Sequence, residues 1–514
     1  MEQDKQRLAS DGRASLDHQG GTAAAKQESQ VRLSTGISGL DNILHGGLAK
    51  GFVYLVEGNP GAGKTTLALQ FLMEGARNGE SGLYISLAES EGELRHVADS
   101  HGFNLDHVTI AKISPPELSA AAGEYTVFQP AEVELADVLE TILARVRAVN
   151  PSRIIIDSMS ELRMLARDSL RYRRQILSLK QFFEGRDCTT LLLDERFRED
   201  RESQVQTIAH GVISLEVLPR DYGITRRRLE VMKIRASSFR EGFHDFVLER
   251  GGLHVFPRLI SGEHRAPRIG SQVLPSGLTE LDSLFNGGVQ RGTSTLVAGP
   301  TGCGKSSICT QFAFSAAQRG EKSAIYTFDE TRDSFRERSY GLGMPIDPFL
   351  EDKTIHLEQV DPAELSPGEF IDRIRCGVEN NGWRIVVIDS LNGLMHAMNE
   401  ERALTVQLHE VLSYLSQMGV VSFLVLAQYG LFGNISSPTD VSYLADNVLL
   451  LRYFEAEGEV RQAISVVKRR SGPHERSIRQ MEISNGKLII GEPLKNFTGV
   501  LTGTPEFNGG QPLL

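Results

Sequence analysis

The chain has little of what would place it outside a reducing, aqueous compartment. Four cysteines, Cys188, Cys303, Cys309 and Cys376, occur in 514 residues. They are too few for a disulfide scaffold and lack the paired spacing of a zinc site, which points to a reducing cytoplasm. No apolar run approaches the ~18 residues that would span a bilayer. Residues 1–30 lack the apolar core of a signal peptide and mix Gln, Ala, Gly, Ser and charge without periodicity, as a mobile tail does. Positive charge is outnumbered: 55 Lys and Arg face 66 Asp and Glu, a net charge of −11, so an extended sequence-independent grip on nucleic acid is not expected. With 40% hydrophobic and 24% charged residues the chain can bury substantial cores, and its length fits two large α/β domains or three smaller ones.

One motif stands twice. GNPGAGKT runs from Gly58 to Thr65 and GPTGCGKS from Gly299 to Ser306, both fitting G-x-x-x-x-G-K-[ST]. Each follows an apolar β-rich run, Val53–Val56 or Thr295–Ala298, and opens a helix-forming stretch. In such a loop the glycines (Gly58, Gly61 and Gly63; Gly299, Gly302 and Gly304) let the backbone curl until its N–H groups face phosphate oxygens, and the helix N-terminus adds positive potential. Asn59, Ala62, Thr301 and Cys303 complete the two loops, with Cys303 as a small filler, and Thr66 and Ser307 follow on the first helical turn. Lys64 and Lys305 are expected to reach the β/γ-phosphates of ATP, while Thr65 and Ser306 are expected to hold Mg²⁺.

The repetition is wider than the loops. TGISGLDNILHGGLAKG precedes the first and SGLTELDSLFNGGVQRG the second, and Gly36/Gly277, Asp41/Asp282 and Gly47/Gly288 keep the 241-residue offset of Lys64/Lys305. Downstream, Ala88-Glu89 and Asp329-Glu330 each end 25 residues beyond the loop lysine. Then come Arg153 to Ser158 against Arg384 to Ser390, and Lys233-Ile234-Arg235 against Lys468-Arg469-Arg470. Two copies of one domain explain the series. The β-branched runs ending in Asp157 and Asp389 suit buried parallel strands, and helical segments such as 172–183 and 402–417 separate the strands. The expected fold is α/β, a doubly wound and mostly parallel sheet flanked by helices in each copy, with nucleotide at the strands' carboxyl ends. The expected divisions are a tail over 1–30, a first domain over 31–261, a linker over 262–272, a second domain over 273–505 and a short tail over 506–514. Residues 115–130 read as a surface loop, either a connector or a partner-binding element.

Phosphoryl transfer needs charge neutralisation, a held metal and a positioned nucleophile. Asp157 and Asp389 are candidates to orient Mg²⁺, with Ser158 and Ser390 beside them. Glu89 and Glu330 are candidates to orient or deprotonate an attacking group, against the alternative of a solvated acid past a strand end. Lys233 with Arg235, and Lys468 with Arg470, stand two apart on expected strands, so both cations of a pair share one face. They suit either a clamp on a neighbouring subunit's γ-phosphate or a lysine-guarded sheet edge.

The order GLD…GG, phosphate loop, acidic pair, apolar-Asp-Ser strand and K-x-R resembles the KaiC family of tandem RecA-like ATPases, over about Leu33 to Pro505. The resemblance implies two tandem RecA-like P-loop domains and a two-tiered homohexameric ring with ATP between subunits. It also implies a slow ATPase in the first domain and an autokinase and phosphatase in the second. The family's catalytic acidic pair falls on Asp329-Glu330, with Asp329 a shortened carboxylate at the base position. In the first domain it falls on Ala88-Glu89, where Ala88 offers no acid. The trans-acting pairs match Lys233 and Arg235, then Lys468 and Arg470; an imidazole common beyond the first pair is replaced by Phe239. The family's phosphoacceptor pair aligns with Ser442-Tyr443, with Ser442 the principal acceptor expected. NFTGVLTGTP (496–505) resembles the loop at the ring's mouth, and the longer tail that captures the KaiA activator is absent, so regulation by that activator is not expected. A KaiB-like partner on the first domain stays open. Two other classes share the nucleotide chemistry: a RecA-like DNA-dependent ATPase, for which the arginines within 171–174 and 226–228 speak, and a non-enzymatic ATP-bound scaffold ring.

Overall fold

A computed structural model of the protein describes residues 31–113, 130–166, 168–196, 204–220, 223–264, 272–396, 401–428, 441–484, 486–501 and 505–507. The expected tail over 1–30, the loop over 115–129 and most of the expected linker and C-terminal tail lie outside the described residues.

Two nine-stranded sheets form, with the same strand order. In the first, the phosphate-loop strand Val53–Gly58 lies between Thr189–Glu195 and Gly211–Leu218, all parallel. Arg153–Asp157, Gly82–Ser86 and Val108–Lys112 extend the parallel half on one side. Arg226–Ile234, Phe243–Glu249 and Gly252–Phe256 continue antiparallel on the other. In the second, Ser294–Gly299 is flanked by Val421–Ala427 and Asn447–Ala456 in the same way. Alternate residues of each central strand enter different cores. Tyr54 and Val56 pack beneath the helix Lys64–Arg77, while Val53 and Leu55 pack against the helices of the opposite face. Burial on both faces is why these strands read as continuous apolar runs rather than as alternating ones.

The repeated GLD and GG signatures are structural. Asp41 accepts from the Thr35 backbone N–H (2.8 Å) and from the Ser34 and Thr35 hydroxyls (both 2.7 Å), and Asp282 accepts from the Ser276 N–H (2.7 Å). A Cβ at Gly47 or Gly288 would stand 2.1 or 2.6 Å from the Leu33 or Leu274 carbonyl oxygen, so only glycine fits. Register corrects one sequence correspondence. Gly82 pairs with Arg153 and Ser323 with Ile385, so Arg153 occupies the place of Ile385, not of Arg384.

Several contacts join the copies. The Gly368 N–H donates to Asp245 at 2.8 Å, the Ile224 N–H to the Ala363 carbonyl at 3.1 Å, and the Ser261 N–H to Glu410 at 3.1 Å. Beside Asp245, His244 is 1% exposed. Its Nδ1 accepts from the Arg258 N–H at 2.8 Å, so Nε2 carries the proton that is donated to the Arg240 carbonyl at 3.1 Å. The neutral ring is satisfied, and burial is the main reason its pKa falls from 6.5 to about 4. A depressed histidine contributes stability that is whole above its unfolded pKa and is lost as pH falls, because the unfolded chain takes up a proton that the native chain refuses. Between pH 6.5 and 4 this site is expected to remove on the order of 3 kcal/mol. Denaturant midpoints measured against pH should show that slope in the parent and not in His244→Asn.

Candidate active site

Both phosphate loops leave a central strand and enter a helix through left-handed glycines: Gly61 and Gly63 have φ of 73° and 95°, Gly302 and Gly304 of 81° and 90°. The space over the second glycine of each pair is closed from the antiparallel half of the sheet, by Leu248 and Leu253 at Gly63 and by Met481 at Gly304. Lys64 Nζ donates to the Gly58 and Asn59 carbonyls at 2.8 and 3.2 Å, and Lys305 Nζ to the Pro300 carbonyl at 2.5 Å. Each ammonium is thus held inside its loop, where phosphate oxygens would arrive. Cys303 is fully buried, and burial pushes its thiol pKa up, as befits a filler. A cleft of about 380 Å³ opens over the second loop, lined by Gly302, Gly304, Lys305, Ser306, Ser307 and Arg338.

At the end of the strand Ile385–Asp389, next but one to the phosphate-loop strand, Asp389 faces the Ser306 hydroxyl. Burial raises the Asp389 pKa, and the Ser306 hydrogen bond and the nearby Arg338 oppose the rise. A cation would relieve the same desolvation. One carboxylate and one hydroxyl, both hard oxygens, suit Mg²⁺ that keeps waters and takes its other ligands from phosphate. Among the described residues no cluster of three or more His, Cys, Asp or Glu is placed to hold a metal by itself. The Asp157–Ser158 and Asp389–Ser390 peptide bonds are both cis.

The first site differs in detail. Tyr84 places its hydroxyl 2.5 Å from Asp157 Oδ2 and close to Thr65. Burial raises the Asp157 pKa, with Tyr84 and Lys64 opposing. Burial likewise lowers the Lys64 pKa, against the pull of Glu195, Asp157 and Asp194. Asp194 is fixed by the Ser160 hydroxyl and by Arg163, both at 2.7 Å. In the second domain the matching positions, set by Asp157↔Leu193 and Asp389↔Val425, are Leu426 and Ala427. The first site is therefore the more acidic.

The acidic pairs also diverge. Ser86 and Thr327 hydroxyls donate to the Glu89 and Glu330 carbonyls at 2.7 and 2.9 Å, fixing both turns alike. Glu330 then receives both arms of Arg338, at 3.0 and 2.9 Å, whereas among the described residues Asp329 accepts the Ser390 hydroxyl alone, at 2.6 Å. Both Glu330 oxygens are occupied by the guanidinium, which leaves Asp329 the more accessible of the two. The counterpart of Arg338, seven residues past each helix's capping Ser90 or Thr331, is Val97. Glu89 accordingly has a buried Oε2 without a hydrogen-bond partner among the described residues, and burial, Asp157 and Glu93 raise its pKa. Thr66 meets His101 Nε2 at 3.3 Å, Ser307 meets Arg338 at 3.5 Å, and the Thr301 carbonyl accepts from Tyr453 at 3.3 Å.

Of the cation pairs, Lys233 and Lys468 lie in strands, but Arg235 and Arg470 stand just past the strand ends. Arg235 donates to the Thr207 carbonyl at 2.8 Å and Arg470 to the Tyr443 carbonyl at 2.6 Å. Strand register makes these carbonyls equivalent, since Gly211 and Asn447 take the same place beside the two phosphate-loop strands. Lys468 Nζ donates to the Ser442 and Ala445 carbonyls, both at 2.8 Å. Ser442 and Tyr443 lie in a turn before the strand rather than beginning it, and Tyr443 is 53% exposed. Burial lowers the Lys233 pKa, helped by repulsion from Arg235 and Lys180, so three cations gather where an incoming anion would be attracted. The arginines that favoured nucleic acid are partly engaged: Arg228 pairs with Glu216 at 2.8 Å and stacks on Phe243. Arg173 reaches Thr207 at 3.3 Å.

Sequence reading missed Tyr84, Arg338, Asp194 and Glu195. Tyr84 was accessible through strand alternation, which puts it on the face of Ser86. Arg338 had no signal, because its partner lies outside its own helix.

The family model for the KaiC ATPase matches residues 33–260 and again 274–495. The chain belongs to the KaiC ATPase family. Among curated relatives it is 26% identical to the circadian clock protein KaiC3 of Synechocystis sp. over 492 residues, covering 93% of this chain and 95% of that one. It is also 26% identical to the circadian clock oscillator protein KaiC of Picosynechococcus sp., covering 92% of each chain, and to that of Synechococcus elongatus, covering 94% and 93%. Membership and the doubled nucleotide fold make this a KaiC-like ATPase with two tandem RecA-like domains. Among the described residues no helix is long and apolar enough to cross a membrane.

Proposed function

We propose that the chain is an ATP-hydrolysing autokinase that assembles as a homohexamer, with ATP and Mg²⁺ held between subunits. The units are 31–261 and 273–505, joined by 262–272. In the second unit Lys305, Ser306 and Asp389 hold the triphosphate and its cation, Asp329 serves as base, and Ser442 is the acceptor, with Tyr443 a weaker second. In the first unit Lys64, Thr65 and Asp157 hold the nucleotide and Glu89 alone orients water, so hydrolysis there is slow. The observation that carries the kinase reading is the attachment of Lys468 and Arg470 to the carbonyls of the Ser442–Ala445 turn. A cation pair that also meets a neighbour's phosphate would then place the acceptor turn beside that phosphate.

Peptide mass spectrometry after incubation with ATP and Mg²⁺ tests this. Phosphate is expected on Ser442 and its loss in Ser442→Ala, with ATP turnover retained. Turnover without phosphate on any peptide would sink the kinase reading and leave an ATPase switch.

A further inference from the structure

In the second domain the loop hydroxyl Ser306 faces the strand-end carboxylate Asp389. In the first, a phenol faces both equivalent groups. Tyr84 OH lies 2.5 Å from Asp157 Oδ2, and Thr65 stands close to the same phenol. The residue at the same strand position in the second domain is Ile325: Tyr84 pairs with Ile155 and Ile325 with Val387, each two residues before the Asp-facing Ser86 or Thr327. Isoleucine has no hydroxyl to offer to Asp389. Tyr84 is 0% exposed and packs among Ala62, Leu67 and Phe71 beneath the loop, so its ring cannot swing aside without opening the core.

We infer that the Tyr84 hydroxyl is a specificity element of the first nucleotide site, engaging the two oxygens that would otherwise serve a divalent cation, so that this site binds nucleotide with a weaker demand for the cation than the second site has. Tyr84 donates its proton to Asp157 and occupies a lone pair that cation-bound water would use, while the Thr65 hydroxyl is drawn to the phenol. The idea rests on reading both loops as nucleotide sites. The acids near Lys64 (Asp157, Asp194 and Glu195), with Glu89 beside Asp157, draw cations toward the first site, so removing only the hydroxyl isolates its effect.

Mn²⁺ serves as the probe, with free ion counted by electron paramagnetic resonance and a non-hydrolysable ATP analogue present. Full-length Lys305→Ala leaves the first site in use. Adding Tyr84→Phe to it is expected to tighten Mn²⁺ by about tenfold, the scale of one hydrogen bond to a charged group, while analogue affinity in chelator stays constant. The reciprocal Ile325→Tyr on Lys64→Ala should weaken Mn²⁺ at the second site, and Tyr84→Phe in the otherwise native chain should tighten one of two classes of site. Unchanged or weaker Mn²⁺ binding with Tyr84→Phe overturns the inference. Failure of folded Lys305→Ala to bind the analogue with or without Mn²⁺ overturns the nucleotide-site reading itself, and the inference with it.

Discussion

Lys305→Ala is expected to abolish phosphate on Ser442 and to cut the second domain's turnover by at least about 10²-fold, the usual cost of losing one charge-stabilising donor at a phosphoryl centre. Lys305 is 7% exposed and anchored on the Pro300 carbonyl, so its ammonium sits in a fixed, water-poor position before nucleotide arrives. Charge positioned in advance stabilises the transition state without reorganising. Arg338, the other cation lining the cleft, is committed to Glu330. Lys64→Ala should instead spare Ser442 phosphorylation and remove only the turnover of the first domain. Single-turnover phosphate release beside peptide mass spectrometry separates the two variants. If Lys305→Ala still phosphorylates Ser442, the second loop is not the donor site.

Arg153→Ala is expected to be the most destabilising single change in the first domain, by about 3–5 kcal/mol. Arg153 is 1% exposed and held at Nε, at Nη1 and by an aromatic ring. Nη1 donates to the Ser34 and Phe71 carbonyls, both at 2.8 Å, Nε pairs with Glu80 at 2.5 Å, and the guanidinium stacks 4.5 Å from the Phe71 ring. Truncation strands two carbonyls and a half-buried carboxylate and leaves a cavity against the phosphate-loop helix. Arg153→Met restores volume and should recover part of the loss. In calorimetry the first-domain transition of Arg153→Ala should fall by roughly 10 °C while the second stays in place. A shift of both together would mean that the copies unfold as one unit.

Arg153 also marks where sequence reading stopped. The run Arg153–Asp157 announces a buried strand, and its arginine looks like a polar flank matched by Arg384. Only strand register places it opposite Gly82, deep beside the helix where the other copy has Ile385. The K-x-R pairs were legible as repeated, chemically paired cations. That Arg235 takes hold of the short helix at Thr207, and Lys468 and Arg470 of the turn over Ser442–Ala445, depends on a hairpin bringing residues about 25 apart together.

The sequence by itself determined the doubled phosphate loops, the strands ending in Asp157 and Asp389, the α/β class and the family, because each rests on local spacing or on repetition along the chain. The tertiary structure alone decided how the two sites differ. Arg338 immobilises Glu330, Val97 leaves Glu89 Oε2 without a partner among the described residues, and Tyr84 engages Asp157, through contacts between separate elements that share one core. Such contacts depend on which side chains meet above the sheet, and spacing along a chain carries no record of that.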